Sequence, residues 1–330
     1  MKFPKGKPIL ENTKLGFVNL DRVLNAAKLE RSYKISGYVS IIYPEMVDML
    51  LLKAGEPFNA ISFSHGKRAL VSISDTIQKA KKAEFGMVNF YEVPEELVNF
   101  ILISATQKPI FYAEGINGFR KIITNQASII TKFREIKFNG FIEVVEDIEH
   151  HYFRISEGKI IRDFISRNMN KIKSWEELIH YIESVTTSGK SNIKFLGFQY
   201  ASDATTTQAT PAQINLFFNA IHNTLIKFSE SLGPTIVAET ADSSYQRVKE
   251  EFDFMGSTSF ENFSLSGNIT TSPDNLVKAF SSWFELIKTS FAMIIGEENT
   301  VEIIQQAIKE YRFALKSIGF FEKSSLEFSE

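Results

Sequence analysis

Glycines at positions 37, 55 and 86 recur at 140, 158 and 189, each displaced by 103 residues without a gap. Other residues keep the same spacing. Arg31-x-x-Lys34-x-x-Gly37 followed by Tyr-Val-Ser-Ile matches Arg134-x-x-Lys137-x-x-Gly140 followed by Phe-Ile-Glu-Val, and Asn89 matches Asn192. A period of this length marks a duplicated module, and any fold proposed for the chain has to respect it. Few polar side chains survive between the copies, so the pattern preserves a scaffold rather than a reaction centre. A second duplication lies downstream. Thr210-Pro211 returns as Ser272-Pro273, Gly233 as Gly296 and Gly256 as Gly319, at offsets of 62 to 63.

A chain of 330 residues exceeds what one core supports, so two or three domains are expected. Hydrophobic residues at 44% and charged residues at 23% exclude general disorder. The 30 phenylalanines are enough for large cores and for some partner-facing apolar surface. A net charge of −2 gives no global attraction to phosphate backbones. The absence of cysteine removes disulfides, thiol catalysis and cysteine-ligated zinc. No apolar run reaches membrane-spanning length, and Met-Lys-Phe-Pro-Lys-Gly-Lys lacks a signal core, so the expectation is a cytoplasmic protein with no membrane span. Lys2, Lys5 and Lys7 read as a solvated basic start.

Each copy reads as helix, strand, turn, strand, turn, strand, helix, strand. In the first, Leu20, Val23, Leu24, Ala27 and Leu29 make an amphipathic helix, and Gly37 to Tyr43, Met46 to Lys53 and Phe58 to Phe63 are strands rich in β-branched and aromatic residues. Ala54-Gly55 is a turn expected at positive φ. A helix over 74–83 ends near Gly86, and Met87 to Val93 closes the unit. In the second copy, Gly140 to Val145, His151 to Ser156 and Ile160 to Ile165 are strands, with Glu157-Gly158 the turn. Ser174 to Glu177 forms a capping box ahead of a helix carrying Trp175, Leu178, Ile179 and Ile182. Gly37, Gly55, Gly86, Gly140, Gly158 and Gly189 are thus read as structural turn glycines.

The segments Ile35-Ser-Gly-Tyr-Val, Leu52-Lys-Ala-Gly-Glu-Pro-Phe-Asn-Ala and Gly86-Met-Val-Asn-Phe, with Phe138-Asn-Gly-Phe-Ile, Ile155-Ser-Glu-Gly-Lys-Ile and Gly189-Lys-Ser-Asn-Ile, resemble the PATAN-type domain. That domain is named for the N-terminus of a bacterial pattern-formation regulator. Two tandem copies would cover residues 15–198. Ser64-His-Gly-Lys-Arg and Arg167-Asn-Met-Asn-Lys depart from the family, whose third strand leads into a small-residue helix. The resemblance implies bacterial signalling modules that bind proteins and catalyse nothing.

Residues 201–209 are polar and Thr-rich, and read as a linker. Thr210-Pro211-Ala-Gln213 is a complete helix start: cap, proline at the first position and glutamine at the third. Four apolar stripes at steps of three and four follow, from Ile214 to Leu232, Val237 to Phe252, Leu276 to Ile294 and Val301 to Ile318. The predicted fold class is therefore α+β: modules over 1–105 and 106–200, then an antiparallel four-helix bundle over 210–330 made of hairpins 210–256 and 272–319.

Candidate chemistry is sparse. Glu146-Asp-Ile-Glu149-His150-His151 is the ligand-rich cluster, but residues 149, 150 and 151 alternate across a strand, which favours a solvated hairpin turn over a metal site. Gly66-Lys67 lacks the rest of a phosphate loop and reads as a turn. Glu297-Glu298 suits a helix N-terminus, and Glu250-Glu251 a solvated face. Lys159, Arg162, Arg167, Lys171 and Lys173 surround Phe164, but neighbouring acids dilute the patch and argue against nucleic acid. We therefore expect no catalytic residues, no cofactor and no metal. The expected function is a non-enzymatic signalling or scaffolding adaptor that binds a protein partner or itself. Phe217, Phe254 and Phe284, off the core stripes, are the candidate interface. The alternative is a sensor holding a small apolar ligand in the aromatic-rich bundle.

Overall fold

Near-continuous apolar runs such as Tyr38-Val-Ser-Ile-Ile and Phe141-Ile-Glu-Val-Val give each strand two apolar faces, so both faces of the resulting sheets must be covered. A computed structural model describes residues 1–29, 35–114, 133–167, 171–187, 193–200 and 207–326. Arg31, Lys34, Gly189, Asn192 and most of the 201–209 stretch lie outside the described residues. The fold is mixed α and β with antiparallel sheets. The chain divides into two compact units, one of residues 1–71 and 76–205 and one of residues 72–75 and 206–330.

In the first unit, β1 (Lys7–Lys14), β2 (Gly37–Ile42), β3 (Met46–Lys53), β4 (Glu56–Ser64), β5 (Lys67–Val71) and β6 (Met87–Glu92) form a six-stranded sheet in the order β1-β6-β2-β3-β4-β5. A second sheet contains β7 (Phe111–Glu114), β8 (Gly140–Glu146), β9 (Glu149–Ser156), β10 (Lys159–Phe164) and β11 (Ile193–Gln199), in the order β10-β9-β8-β11-β7. The four-strand order β6-β2-β3-β4 recurs as β11-β8-β9-β10. Register recurs with it. Leu52 faces Pro57 and Leu51 faces Asn59 across a bulge, and Ile155 faces Ile160 and Arg154 faces Arg162 across another.

The hairpin turns explain part of the glycine pattern. Ala54-Gly55 sits at φ 51° and 81°, and Glu157-Gly158 at 47° and 72°, the two positive values that match the twist of the flanking strands. Gly37 and Gly140 are not turn residues. They open central strands, where a Cβ would stand 2.2 Å from the Tyr91 carbonyl oxygen and 2.3 Å from that of Phe198. The glycine there answers close backbone approach rather than a turn.

Helix α1 (Leu20–Leu29) lies along β4, and Lys79 of α2 (Ile73–Lys82) pairs with Asp48 of β3 at 2.8 Å. Helix α3 (Glu95–Thr106) is buried continuously from Leu97 to Ser104. A helix apolar all round has to be covered all round. One core cluster joins α3 to Tyr38, Met49, Leu51, Ile61 and Phe63 of the first sheet and to Phe141, Tyr152, Phe164 and Phe198 of the second. Phe100 stacks on Phe141 at 4.3 Å. α3 is thus a layer between the two sheets. The opposite face of the second sheet packs Ile142, Val144, Phe153 and Ile155 on α4 (Trp175–Thr187).

Three strands escape the sequence reading. Lys7–Lys14 is an edge strand rather than solvated terminus, and Phe3 ahead of it is buried. β5 follows the His65-Gly66 turn, and β7 adds an edge to the second sheet. All three have few apolar residues in alternation, because each is covered on one side at most.

The second unit begins with α5 (Pro211–Leu232), whose Thr210 capping box is complete, followed by α6 (Pro234–Glu251). The stretch between the two expected helical hairpins contains a β-hairpin, β12 (Thr258–Glu261) and β13 (Ser264–Gly267). α7 (Pro273–Ile295) and α8 (Glu297–Ala307) follow. The caps Thr210 and Ser272 share φ −73° and ψ 155°, and the junction glycines 233 and 296 sit at φ 84° and 83°. The fourth stripe is not one helix. After α8 the chain makes a 3₁₀ turn, Lys309–Tyr311, before α9 (Arg312–Ser317) and α10 (Phe320–Lys323). The apolar spacing is still honoured, since Ile304, Ile308 and Leu315 are all buried.

Candidate functional site

The polar chemistry of the first unit collects around the β8–β9 hairpin. Strand alternation places Glu143, His150 and Tyr152 on the α3 side and Glu146, Glu149 and His151 on the α4 side. On the α3 side, Glu143 is fully buried and accepts three hydrogen bonds. They come from Arg68 Nη1 at 2.7 Å, His150 Nδ1 at 2.8 Å and Tyr152 Oη at 3.0 Å. Arg68 belongs to β5 of the first sheet and also donates to the Ser104 carbonyl at the end of α3, at 3.0 Å. The carboxylate therefore ties both sheets and the intervening helix together. Burial alone would raise its pKa, but Arg68 and His150 outweigh burial and hold it at about 2. Burial also lowers His150, and Phe3 stacks on its ring at 4.5 Å. The neutral ring donates through Nδ1, leaving Nε2 as a buried acceptor with no hydrogen-bond partner among the described residues.

On the α4 side, Arg167 makes two hydrogen bonds to Glu146, at 3.2 and 2.6 Å, and lies 3.4 Å from Glu149. Tyr181 of α4 donates to Glu146 at 2.7 Å. His151 accepts from the Ser166 backbone N–H through Nδ1 at 3.2 Å, which puts its ring proton on Nε2. Burial first, then Arg167, lowers its pKa to about 4. The two neighbouring histidines are thus opposite tautomers.

The expectation of a solvated turn at Glu146 to His151 is corrected. Glu146 and Glu149 are paired across a tight hairpin, so only Asp147 and Ile148 project into solvent. Glu149 and His151, two apart, share a face after all, and ligand atoms of Glu146, Glu149 and His151 lie within 4.8 Å of one another. The donor set nevertheless suits a guanidinium better than a metal ion. Arg167 already pairs with both carboxylates, Lys2 adds a second cation on Glu149 at 3.1 Å, and the lone pair of His151 is turned to an amide N–H rather than inward.

Of the basic residues around Phe164, Arg162 and Arg167 pair with acids, while Lys159, Lys171 and Lys173 stay exposed. Arg162 pairs with Glu96 at 3.4 Å and lies over the Phe164 ring at 4.9 Å. Gly66 forms the turn expected of it, at φ 73°. Glu297 and Glu298 occupy the first turn of α8, as expected of acids at a helix N-terminus.

Phe217 and Phe284 are not surface residues, and their placement off the core is corrected. Both are fully buried in the helical unit's own core, where Phe217 stacks on Phe280 at 4.7 Å and Phe284 meets Phe320 edge-on at 5.3 Å. The short helix α10 supplies Phe320, which no stripe reading included. Phe254 is half-buried beside Phe252, 5.9 Å between ring centres. Among the described residues of the helical unit, the aromatic that does project is Phe313, 84% exposed. It lines a surface groove with Ile226, Ala307 and Lys309, between α5 and the end of α8.

Arg68, Glu143, Tyr152 and Tyr181 were missed. The available signal was Glu143 itself, an acid on an otherwise apolar strand whose counterpart 103 residues earlier is Ser40.

No family model, curated protein or solved structure matches the chain. No described helix is long and apolar enough to cross a membrane.

Proposed function

We propose that the chain is a non-enzymatic cytoplasmic adaptor, with tandem duplicated α+β modules of PATAN-type resemblance followed by a helical unit of two successive hairpins that docks a protein partner. The shared strand order and the hairpin registers repeated at 103 residues support the tandem reading. The paired cap geometries support a second, shorter duplication.

The observation that carries the docking reading is Phe313. The break after Ala307 turns this ring outward beside Ile226, at the lip of a groove whose rim holds Lys227, Lys309 and Glu310. An exposed aromatic flanked by a groove and a polar rim is the composition of an interface hot spot. The buried carboxylates point the same way, because each is tied to an arginine and hydrogen-bonded on several sides. A sensor would need room inside the helical core. There Phe228 and Phe291 stack at 4.1 Å and Phe217 and Phe280 at 4.7 Å, which favours docking over internal ligand binding.

Phe313→Asp tests the reading. We expect an unchanged circular dichroism spectrum and an affinity for the purified partner about thirtyfold weaker or more, the effect of losing an anchor worth ~2 kcal/mol. Equal binding by the variant would remove the groove from the proposal.

A further inference from the structure

Apart from Phe313, the two most exposed phenylalanines in the described residues are Phe17, at 84%, and Phe85, at 76%. They are far apart in sequence but share one corner of the first unit. The Leu15 N–H donates to the Gly86 carbonyl at 2.9 Å, and Lys14 lies opposite Met87 in the β1–β6 pairing. Lys81 at the end of α2 pairs with Asp21 at the start of α1 at 2.7 Å. The end of β1, the 3₁₀ turn Leu15–Phe17, the start of α1 and the end of α2 therefore meet. Leu15 is buried beneath them, while both rings project.

The charge at this corner is opposite to that of the chain. The segments that meet here carry exposed Lys14, Arg22, Lys81 and Lys82 against exposed Asp21 and Glu84, a local balance of +2 on a chain of net −2. The bland reading is that Lys81 and Lys82 complement the α2 dipole. It accounts for neither phenylalanine, nor for Lys14 and Arg22. Self-association through a two-fold axis would set Lys14 and Lys82 near their own copies, which repels. Two projecting rings with a basic collar fit an anionic bilayer. The rings enter the headgroup boundary without needing a preformed pocket, and the cations meet the lipid charge.

We propose that the corner formed by Phe17 and Phe85 is a peripheral docking site for anionic membrane surfaces. It is independent of the Phe313 groove, so the two readings fail separately.

The test is flotation of the full chain with vesicles of phosphatidylcholine alone or mixed with phosphatidylserine. Binding is expected to the mixed vesicles only, and to fall as salt shortens the range of the attraction. Phe17→Ser with Phe85→Ser should weaken it about tenfold or more, and Lys14→Glu with Lys82→Glu should abolish it. Phe313→Asp should leave it unchanged. Both pairs are exposed, so melting should not shift. Should the serine pair misfold, the glutamate pair carries the test. Phe17→Trp should add an emission that moves to the blue on mixed vesicles. Failure of the wild-type chain to float with anionic vesicles at low salt overturns the proposal. So does equal flotation of the serine pair, or binding to an acidic polypeptide or nucleic acid but not to vesicles.

Discussion

Replacing Arg68 with methionine removes the cation facing Glu143 while keeping most of its volume. The carboxylate has no exposed surface, and its remaining donors are His150 and Tyr152. Breaking a buried pair by deleting one partner costs about 3–5 kcal/mol, because the other charge stays desolvated. The carboxyl pKa gives a second route to the size. A fall from the ordinary 4.5 to about 2 in the fold corresponds to roughly 3 kcal/mol. For a unit of this size, 1 kcal/mol moves the melting temperature by about 2–4 °C, so Arg68→Met should lower the transition by about 6–20 °C. Replacing both residues, Arg68→Met with Glu143→Leu, should recover part of the loss, since neither charge is then buried although His150 and Tyr152 lose their acceptor. Differential scanning calorimetry measures both. The reasoning fails if Arg68→Met melts like the wild type, or if the double variant is less stable than the single one.

Acid should weaken the first unit in two stages. The His151 pKa lies at about 4 in the fold against 6.5 when free, so the unfolded chain takes up the proton first. Its contribution is complete above about pH 6.5 and fades as pH falls toward 4. Glu143, depressed from 4.5 to about 2, contributes above pH 4.5 and is lost as pH falls toward 2. Chemical denaturation at several pH values should show His151→Phe with a flatter slope between pH 6.5 and 4 than the wild type. Gly55→Val and Gly158→Val should each lower the transition in a thermal melt. Both glycines have positive φ, worth on the order of 1 kcal/mol or more, and a Cβ on Gly158 would lie 2.5 Å from the Phe133 carbonyl oxygen. Phe217→Ala should destabilise the helical unit by about 3–5 kcal/mol, read by urea titration, as expected of a fully buried ring.

Much of the backbone was legible because it follows short-range rules. The glycine offset located the repeated hairpins, since the turn Glu157-Gly158 and the opening of β8 each impose a local steric demand. Thr210-Pro211 and Gly233 delimited α5 to the residue for the same reason. What escaped depends on tertiary covering. The β1 and β5 strands carry weak alternation and owe their pairing to the sheets beside them. A four-helix stripe pattern leaves Phe217 peripheral, whereas the break after Ala307 brings Phe320 over it. The charged clusters were hidden more deeply. Arg68 and Glu143 are 75 residues apart, and no local pattern says that α3 will lie between their sheets. His151 looked solvated because its neighbours are polar, but the tight hairpin folds those neighbours onto one another.

The docking account is tested most directly by a photoreactive phenylalanine analogue placed at position 313 of the full chain, with the exposed position 298 as control. The account predicts a discrete crosslink from 313 and none from 298. The crosslinked partner, once purified, should bind the wild-type chain and bind Phe313→Asp about thirtyfold more weakly or worse. Equal crosslinking from both positions, or undiminished affinity of the variant, would contradict it.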